Sequence, residues 1–127
     1  MGEMRRIIVA DDDQGVADLL RRTLVRNGYQ VSLASNGDEL LKLFRQEQSD
    51  AAVVDIEMPV KDGLQAIGEL RAEAPNLVIV AVSGARNNCS LALESGADAF
   101  LPKPTAPREI LSCLEKLLGA GGRRSPA

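Results

Sequence analysis

The chain has 127 residues, of which 45% are hydrophobic and 26% are charged, as is typical of one globular domain with its own core. Its net charge of −3 and its few aromatic residues (Tyr29, Phe44 and Phe100) argue against a nucleic-acid partner, because phosphate and base contacts need a basic, aromatic surface. Histidine is absent, which excludes imidazole catalysis and histidine-ligated zinc.

Apolar patterns in the first part of the chain alternate between strands and helices. In chain order they predict a strand at residues 7–10, a helix from Val16 that stops near Gly28, and a strand at residues 31–34. Asn36-Gly37 would suit a hairpin turn. Asn36 and Glu39, however, have the spacing of a helix cap, so we predict a helix over residues 38–45.

The rest of the chain continues the alternation. It predicts a strand at 51–55, a helix from Leu64 that stops before Pro75, a strand at 77–82, a helix at 86–95 that stops at Gly96, a strand at 99–101, and a last helix with Pro107 in its first turn. The strand at 77–82 has no polar alternation, so we expect it to be buried on both faces.

Five strand–helix units in succession predict an α/β fold with a parallel sheet and helices on both faces. The length fits a flavodoxin-like, five-stranded sheet of order 2-1-3-4-5. We expect residues 1–118 to form this domain and residues 119–127, which are rich in glycine, to be a flexible tail or the start of a linker. The apolar runs are too short for a signal peptide or a membrane span, and the two cysteines form no metal-binding pattern, so we expect a cytoplasmic protein.

Polar residues follow the predicted strands at the edge where parallel strands end. They are Asp11, Asp12 and Asp13 after the first strand, Asp55 at the end of the third, Ser83 after the fourth and Lys103 after the fifth. Carboxylates without histidine or cysteine suit a hard cation such as Mg²⁺. A metal, an amine and a hydroxyl around one carboxylate also suit phosphoryl transfer, in which the carboxylate itself can be the acceptor.

The residues at these positions resemble the receiver domains of two-component response regulators. The resemblance runs from Arg6 to about Leu118, and four segments carry it: IIVADDD, VVDIEMPVKDG, VAVSG and GADAFLPKP. It implies a signalling domain, not an enzyme in its own right, that is activated when a partner histidine kinase or histidine-containing phosphotransfer protein passes it a phosphoryl group. Because these residues include no histidine, we expect the donor to be another protein or a small phosphodonor.

The resemblance also implies a role for each matching residue. Asp55 would be the phosphoacceptor; Asp11, Asp12, Asp55 and the backbone carbonyl of Glu57 would hold Mg²⁺; Ser83 and Lys103 would bind the phosphoryl group; Ser83 and Phe100 would switch conformation. Asp13 would point elsewhere. Glu57 and Ala85 occupy positions that tune dephosphorylation in the family. The resemblance leaves the downstream effector, a fused output domain and a phosphorylation-dependent dimer open, and it implies neither nucleic-acid nor membrane binding.

Two other functions compete with this interpretation. Asp11-x-Asp13 after the first strand also suits a small phosphatase of the haloacid-dehalogenase type, with Asp11 as nucleophile and Asp13 as acid/base, although Gly15 stands where that family usually has threonine. A degenerate receiver used only for docking is disfavoured because every matching polar residue is present. The sequence does not distinguish a stand-alone receiver from a piece of a longer protein.

Overall fold

The computed structural model describes residues 4–119, which fold into one parallel sheet of order β2-β1-β3-β4-β5. The strands are β1 (Arg6–Ala10), β2 (Gln30–Ala34), β3 (Ala51–Asp55), β4 (Val78–Ser83) and β5 (Ala99–Pro102). The predicted fold class and strand order are confirmed. Because all five strands run in one direction, their carboxyl ends share one edge.

Five helices cover the two faces of the sheet. They are α1 (Gln14–Arg26), α2 (Gly37–Gln46), α3 (Gly63–Glu73), α4 (Asn88–Ser95) and α5 (Pro107–Gly119). Helices α1 and α5 pack together on one face, and α2, α3 and α4 pack in sequence on the other. Each face has its own apolar cluster, and strands β1, β3 and β4 contribute to both.

The central strands are the most buried part of the molecule. Every residue of β3 and β4 is buried, which confirms the prediction for the fourth strand. Their small and β-branched side chains alternate between the two apolar clusters, so the polar residues that end these strands stand on a rigid base.

Short polar side chains fix where three helices begin. Asp13, Asn36 and Asp62 accept hydrogen bonds from the backbone N–H groups of Val16, Glu39 and Gln65, respectively. Asn36 therefore begins a helix and not a hairpin, as predicted. The Glu39 carboxylate completes the cap by accepting a hydrogen bond from the Ser35 N–H.

Most element boundaries differ from the prediction by one or two residues, and three of the differences are informative. Strand β4 begins at Val78 and includes Ser83, whose carbonyl accepts a hydrogen bond from the Lys103 N–H. Helix α4 begins at Asn88 and not at residue 86, because a turn with i to i+3 hydrogen bonds precedes it. Gly119 is the last residue of α5, and the rest of the predicted tail lies outside the described residues. Among the helices described, none is long and apolar enough to cross a membrane.

Candidate functional site

The polar residues predicted from the strand ends meet around one lysine. The Lys103 ammonium, which follows β5, lies 3.3 Å from Oδ2 of Asp55 and 3.6 Å from Oδ2 of Asp11. Asp55 ends β3, Asp11 directly follows β1, and both are buried, with 4% and 7% of their surfaces exposed. Three separate strands thus bring two buried carboxylates and an ammonium into contact.

Asp12 joins this group from the solvent side. Asp11, Asp12 and Asp55 each offer a carboxylate oxygen, and these oxygens lie within 4.8 Å of one another. Asp12 is exposed, so the group opens towards water. Three carboxylates thus lie close together, and an all-oxygen donor set with an open side is what Mg²⁺ prefers. The residues present therefore fit the predicted metal.

The environment of Asp55 disfavours its charge. Burial, followed by repulsion from Asp11, raises the pKa of Asp55 from 3.8 to about 6, although the charge of Lys103 and the Glu57 N–H oppose the shift. Burial lowers the pKa of Lys103, but the charges of Asp55 and Asp11 outweigh it, so the pKa of Lys103 is raised overall. Lys103 thus remains a cation, and one more positive charge would relieve the repulsion between the acids.

The loop after β3 is held against Asp55 by a close backbone contact. Gly63 donates its N–H to the carbonyl of Ile56 at 2.9 Å, and a Cβ at this position would lie 2.5 Å from the Asp55 carbonyl oxygen. Asp62 caps α3 immediately before it. The Asp-Gly pair that ends the loop therefore has two roles. The aspartate caps the start of α3, and the glycine, which has no Cβ, allows the backbone of Asp55 to pack closely against the loop.

Ser83 lies at the end of β4 but bonds to a different acid. Its hydroxyl, fully buried, donates to the Glu57 carboxylate, which also accepts from the Gly84 N–H at 3.3 Å and from the Asn88 side-chain amide at 2.9 Å. The Asn88 amide also lies 3.1 Å from the Ser83 oxygen. Asn88 was not predicted as part of this site, because no sequence pattern connects it to Glu57 or Ser83.

The remaining predicted residues have clear positions. Phe100 is half-buried in β5 and packs against the cluster that α2, α3 and α4 cover. Asp13, as predicted, points elsewhere, since its carboxylate caps α1. That cap occupies the side chain that a haloacid-dehalogenase-type mechanism would need as acid/base.

An open cavity of about 510 Å³ adjoins the carboxylates between α1 and the loop after β5. Asp11, Asp55 and Lys103 line one end of it, and apolar side chains of α1 line its side. Two of these, Val16 and Leu19, are 46% and 55% exposed.

Comparisons with known proteins agree with this geometry. Residues 7–115 match the family model of the response regulator receiver domain. The chain is 43% identical over 116 residues to the response regulator MprA of Mycolicibacterium vanbaalenii and 41% identical to that of Mycobacterium leprae. The first alignment covers 89% of this chain and 50% of the relative, so the chain spans about half the length of these curated relatives.

Solved structures extend the similarity. A CheY-like receiver domain of Methanospirillum hungatei matches with a TM-score of 0.91 and 27% identity, over 97% of this chain and 100% of that one. The response regulator TrrA of Thermotoga maritima, solved in complex with Mg²⁺ and BeF, matches with a TM-score of 0.82 and 33% identity, over 90% and 99%. The haloacid-dehalogenase alternative is not supported. With this fold and this site, the chain belongs to the family of response regulator receiver domains.

Proposed function

We propose that this receiver domain accepts a phosphoryl group on Asp55 and passes on the signal by a change of conformation. The observation that carries the proposal is the contact of Lys103 with both Asp55 and Asp11 at the carboxyl edge of the sheet. Asp55 is the acid at the end of the central strand β3, where the β3–α3 loop restrains it through the Glu57 N–H.

The transfer forms one bond and breaks one. An Oδ atom of ionised Asp55 attacks the phosphorus of a phosphohistidine in line with the leaving nitrogen; the P–N bond breaks, and its electron pair returns to the imidazole. The product is an acyl phosphate on Asp55. Water later attacks the phosphorus and the P–O bond to Asp55 breaks, which restores the carboxylate and releases inorganic phosphate that keeps the protons of the water. The domain therefore promotes only its own phosphorylation and dephosphorylation.

The acid group would hold Mg²⁺ through Asp11, Asp12, Asp55 and the backbone carbonyl of Glu57. When bound, the metal would supply positive charge to the phosphoryl oxygens. Lys103 supplies a second positive charge, since its ammonium already contacts Asp55. Ser83 would donate to the phosphoryl group after leaving Glu57, and Phe100 would follow this movement in β5.

The donor lies outside these 127 residues, which contain no histidine. A sensor histidine kinase or a phosphotransfer protein would reach Asp55 through the cavity beside α1, which Asp55 lines. Val16 and Leu19 on its rim would contact such a protein. The curated relatives are about twice as long as the aligned segment, so an output domain elsewhere in a longer protein is compatible with this role.

Incubation with acetyl phosphate and Mg²⁺, followed by intact mass measurement, tests the proposal. We expect one phosphoryl adduct on the native protein, none in excess EDTA and none on the Asp55→Ala variant. A label that survives Asp55→Ala would contradict it. Asp11→Asn separates it from a phosphatase: a receiver loses its metal-dependent label, whereas a haloacid-dehalogenase-type enzyme loses steady turnover of a phosphomonoester.

A further inference from the structure

The Ser83 hydroxyl is fully engaged in the unphosphorylated structure. It donates its single proton to Glu57 and accepts hydrogen bonds from the Ala85 N–H at 3.0 Å and from the Asn88 amide at 3.1 Å. A hydroxyl has one donor and two acceptor positions, so Ser83 has no donor left for a phosphoryl oxygen. Capture of a phosphoryl group by Ser83 requires that the bond to Glu57 break.

Glu57 is held in place by more than Ser83. Its carboxylate accepts hydrogen bonds from the Gly84 N–H and the Asn88 amide as well, so it collects three donors from the segment between β4 and α4. Hydrogen bonds to an ionised acceptor are stronger than neutral ones. This arrangement therefore stabilises the unphosphorylated position of Ser83.

Asn88 connects this arrangement to a helix. It is the first residue of α4, and the residue before it, Asn87, makes no side-chain capping bond. Helix α4 has eight residues, of which Ala92 alone is buried. With so little burial and no side-chain cap, the bonds of Asn88 to Glu57 and Ser83 add to the backbone turn hydrogen bonds that hold the start of α4.

We propose that Glu57, Ser83 and Asn88 form a latch that holds the receiver in its unphosphorylated conformation. Phosphorylation opens this latch, because the Ser83 hydroxyl leaves Glu57 and donates its hydrogen bond to the phosphoryl group instead. The latch rests on the proposed function, and it would control when Ser83 switches. Phosphorylation of ionised Asp55 raises the negative charge there from one to nearly two, beside Glu57, whose N–H bonds to Oδ1 of Asp55 at 3.2 Å. Repulsion weakens the hold of Glu57 while the phosphoryl oxygens compete for Ser83, so the first turn of α4 is released as Ser83 moves.

The test measures the affinity of the protein for beryllofluoride, an acyl-phosphate mimic, in excess Mg²⁺ by isothermal titration calorimetry. Asn88→Ala removes two bonds that exist only in the latched state and leaves the charge unchanged. We expect it to bind beryllofluoride about three- to tenfold more tightly than the native protein, the factor that one or two net hydrogen bonds supply. The matched control is Asn87→Ala, an exposed neighbour of the same type, which we expect to bind as the native protein does.

The same substitution in a Ser83→Ala protein shows whether the change in beryllofluoride affinity depends on the Ser83 hydroxyl. Because the latch acts through the Ser83 hydroxyl, Asn88→Ala should no longer raise the affinity in a Ser83→Ala protein. Unchanged or weaker binding by Asn88→Ala, or an equal gain in both backgrounds, would overturn the latch.

Spectroscopy provides a second measurement that needs no variant. In amide NMR spectra of the native protein, the Gly84 N–H and the Asn88 side-chain amide should both shift when beryllofluoride binds, because both lose their Glu57 acceptor. Unshifted signals would also overturn the latch. Acetyl phosphate labelling of the native protein is scored separately: absence of the label refutes phosphoacceptance, whereas normal labelling with no gain for Asn88→Ala refutes the latch alone.

Discussion

At the scale of single residues, Asp55 is a buried acid whose ionisation destabilises the fold. It is 4% exposed, and its pKa is raised to about 6 by burial and by Asp11, although Lys103 is in contact with it. A group that is easier to protonate when folded destabilises the fold once it is ionised. In the metal-free domain, the ionised Asp55 therefore lowers the free energy of unfolding at neutral pH.

Asp55→Asn should stabilise the metal-free protein. Because the folded pKa is raised, the contribution of Asp55 to stability is present below about pH 4 and is lost as the pH rises through about 6. We expect the variant to gain on the order of 2 kcal/mol in unfolding free energy at pH 7 in EDTA, and the difference to vanish near pH 4. Urea unfolding at both pH values measures this; a variant less stable than the native protein at pH 7 would show that the repulsion is already compensated.

At the scale of elements, the loop between β3 and α3 determines where Asp55 lies. Gly63 approaches the Asp55 backbone so closely that a Cβ would lie 2.5 Å from its carbonyl oxygen, whereas Gly68 in the same helix has open space around its Cβ position. The first glycine is required by packing and the second is not.

This pair of glycines provides a matched test. Gly63→Ala should cost about 1–3 kcal/mol of stability and slow phosphorylation by acetyl phosphate, because the Asp55 backbone must shift. Gly68→Ala should be neutral or stabilising by up to about 1 kcal/mol, since alanine favours a helix interior. Thermal unfolding and label time courses measure both effects; equal behaviour of the two variants would contradict the role given to Gly63.

The elements also explain how far the sequence alone could be interpreted. Strand order and the meeting of Asp11, Asp55 and Lys103 were predictable, because apolar runs identify the strands and parallel strands share one carboxyl edge. The bonds of Asn88 to Glu57 and Ser83 were not, because they depend on side-chain rotamers across a turn. The start of α4 was predicted two residues early, because a turn with i to i+3 hydrogen bonds precedes the helix.

At the scale of the whole molecule, the surface beside the candidate site exposes apolar side chains to solvent. Val16 and Leu19 of α1 are exposed beside the cavity that leads to Asp55. Exposed apolar groups next to the proposed phosphoacceptor favour a protein donor that docks before it transfers. A small phosphodonor would not use this surface.

Leu19→Arg should therefore slow phosphorylation by a protein donor at least tenfold and leave labelling by acetyl phosphate unchanged, because one docking residue at the centre of a contact can carry over 1 kcal/mol. Val25→Arg is the control: Val25 is 46% exposed on the same helix but does not line the cavity. Transfer from a phosphorylated histidine kinase measures both variants. A loss with both donors would indicate damage to the site, and no loss with either would place docking elsewhere.

The most direct test of phosphorylation at Asp55 is to locate the phosphoryl group on the chain. After labelling with acetyl phosphate and Mg²⁺, reduction with borohydride converts an aspartyl phosphate into homoserine, and tandem mass spectrometry of the peptides identifies the position. We expect homoserine at position 55 and aspartate at positions 11, 12 and 13. Homoserine at position 11, or an unreduced phosphoryl ester on a serine or threonine, would contradict it.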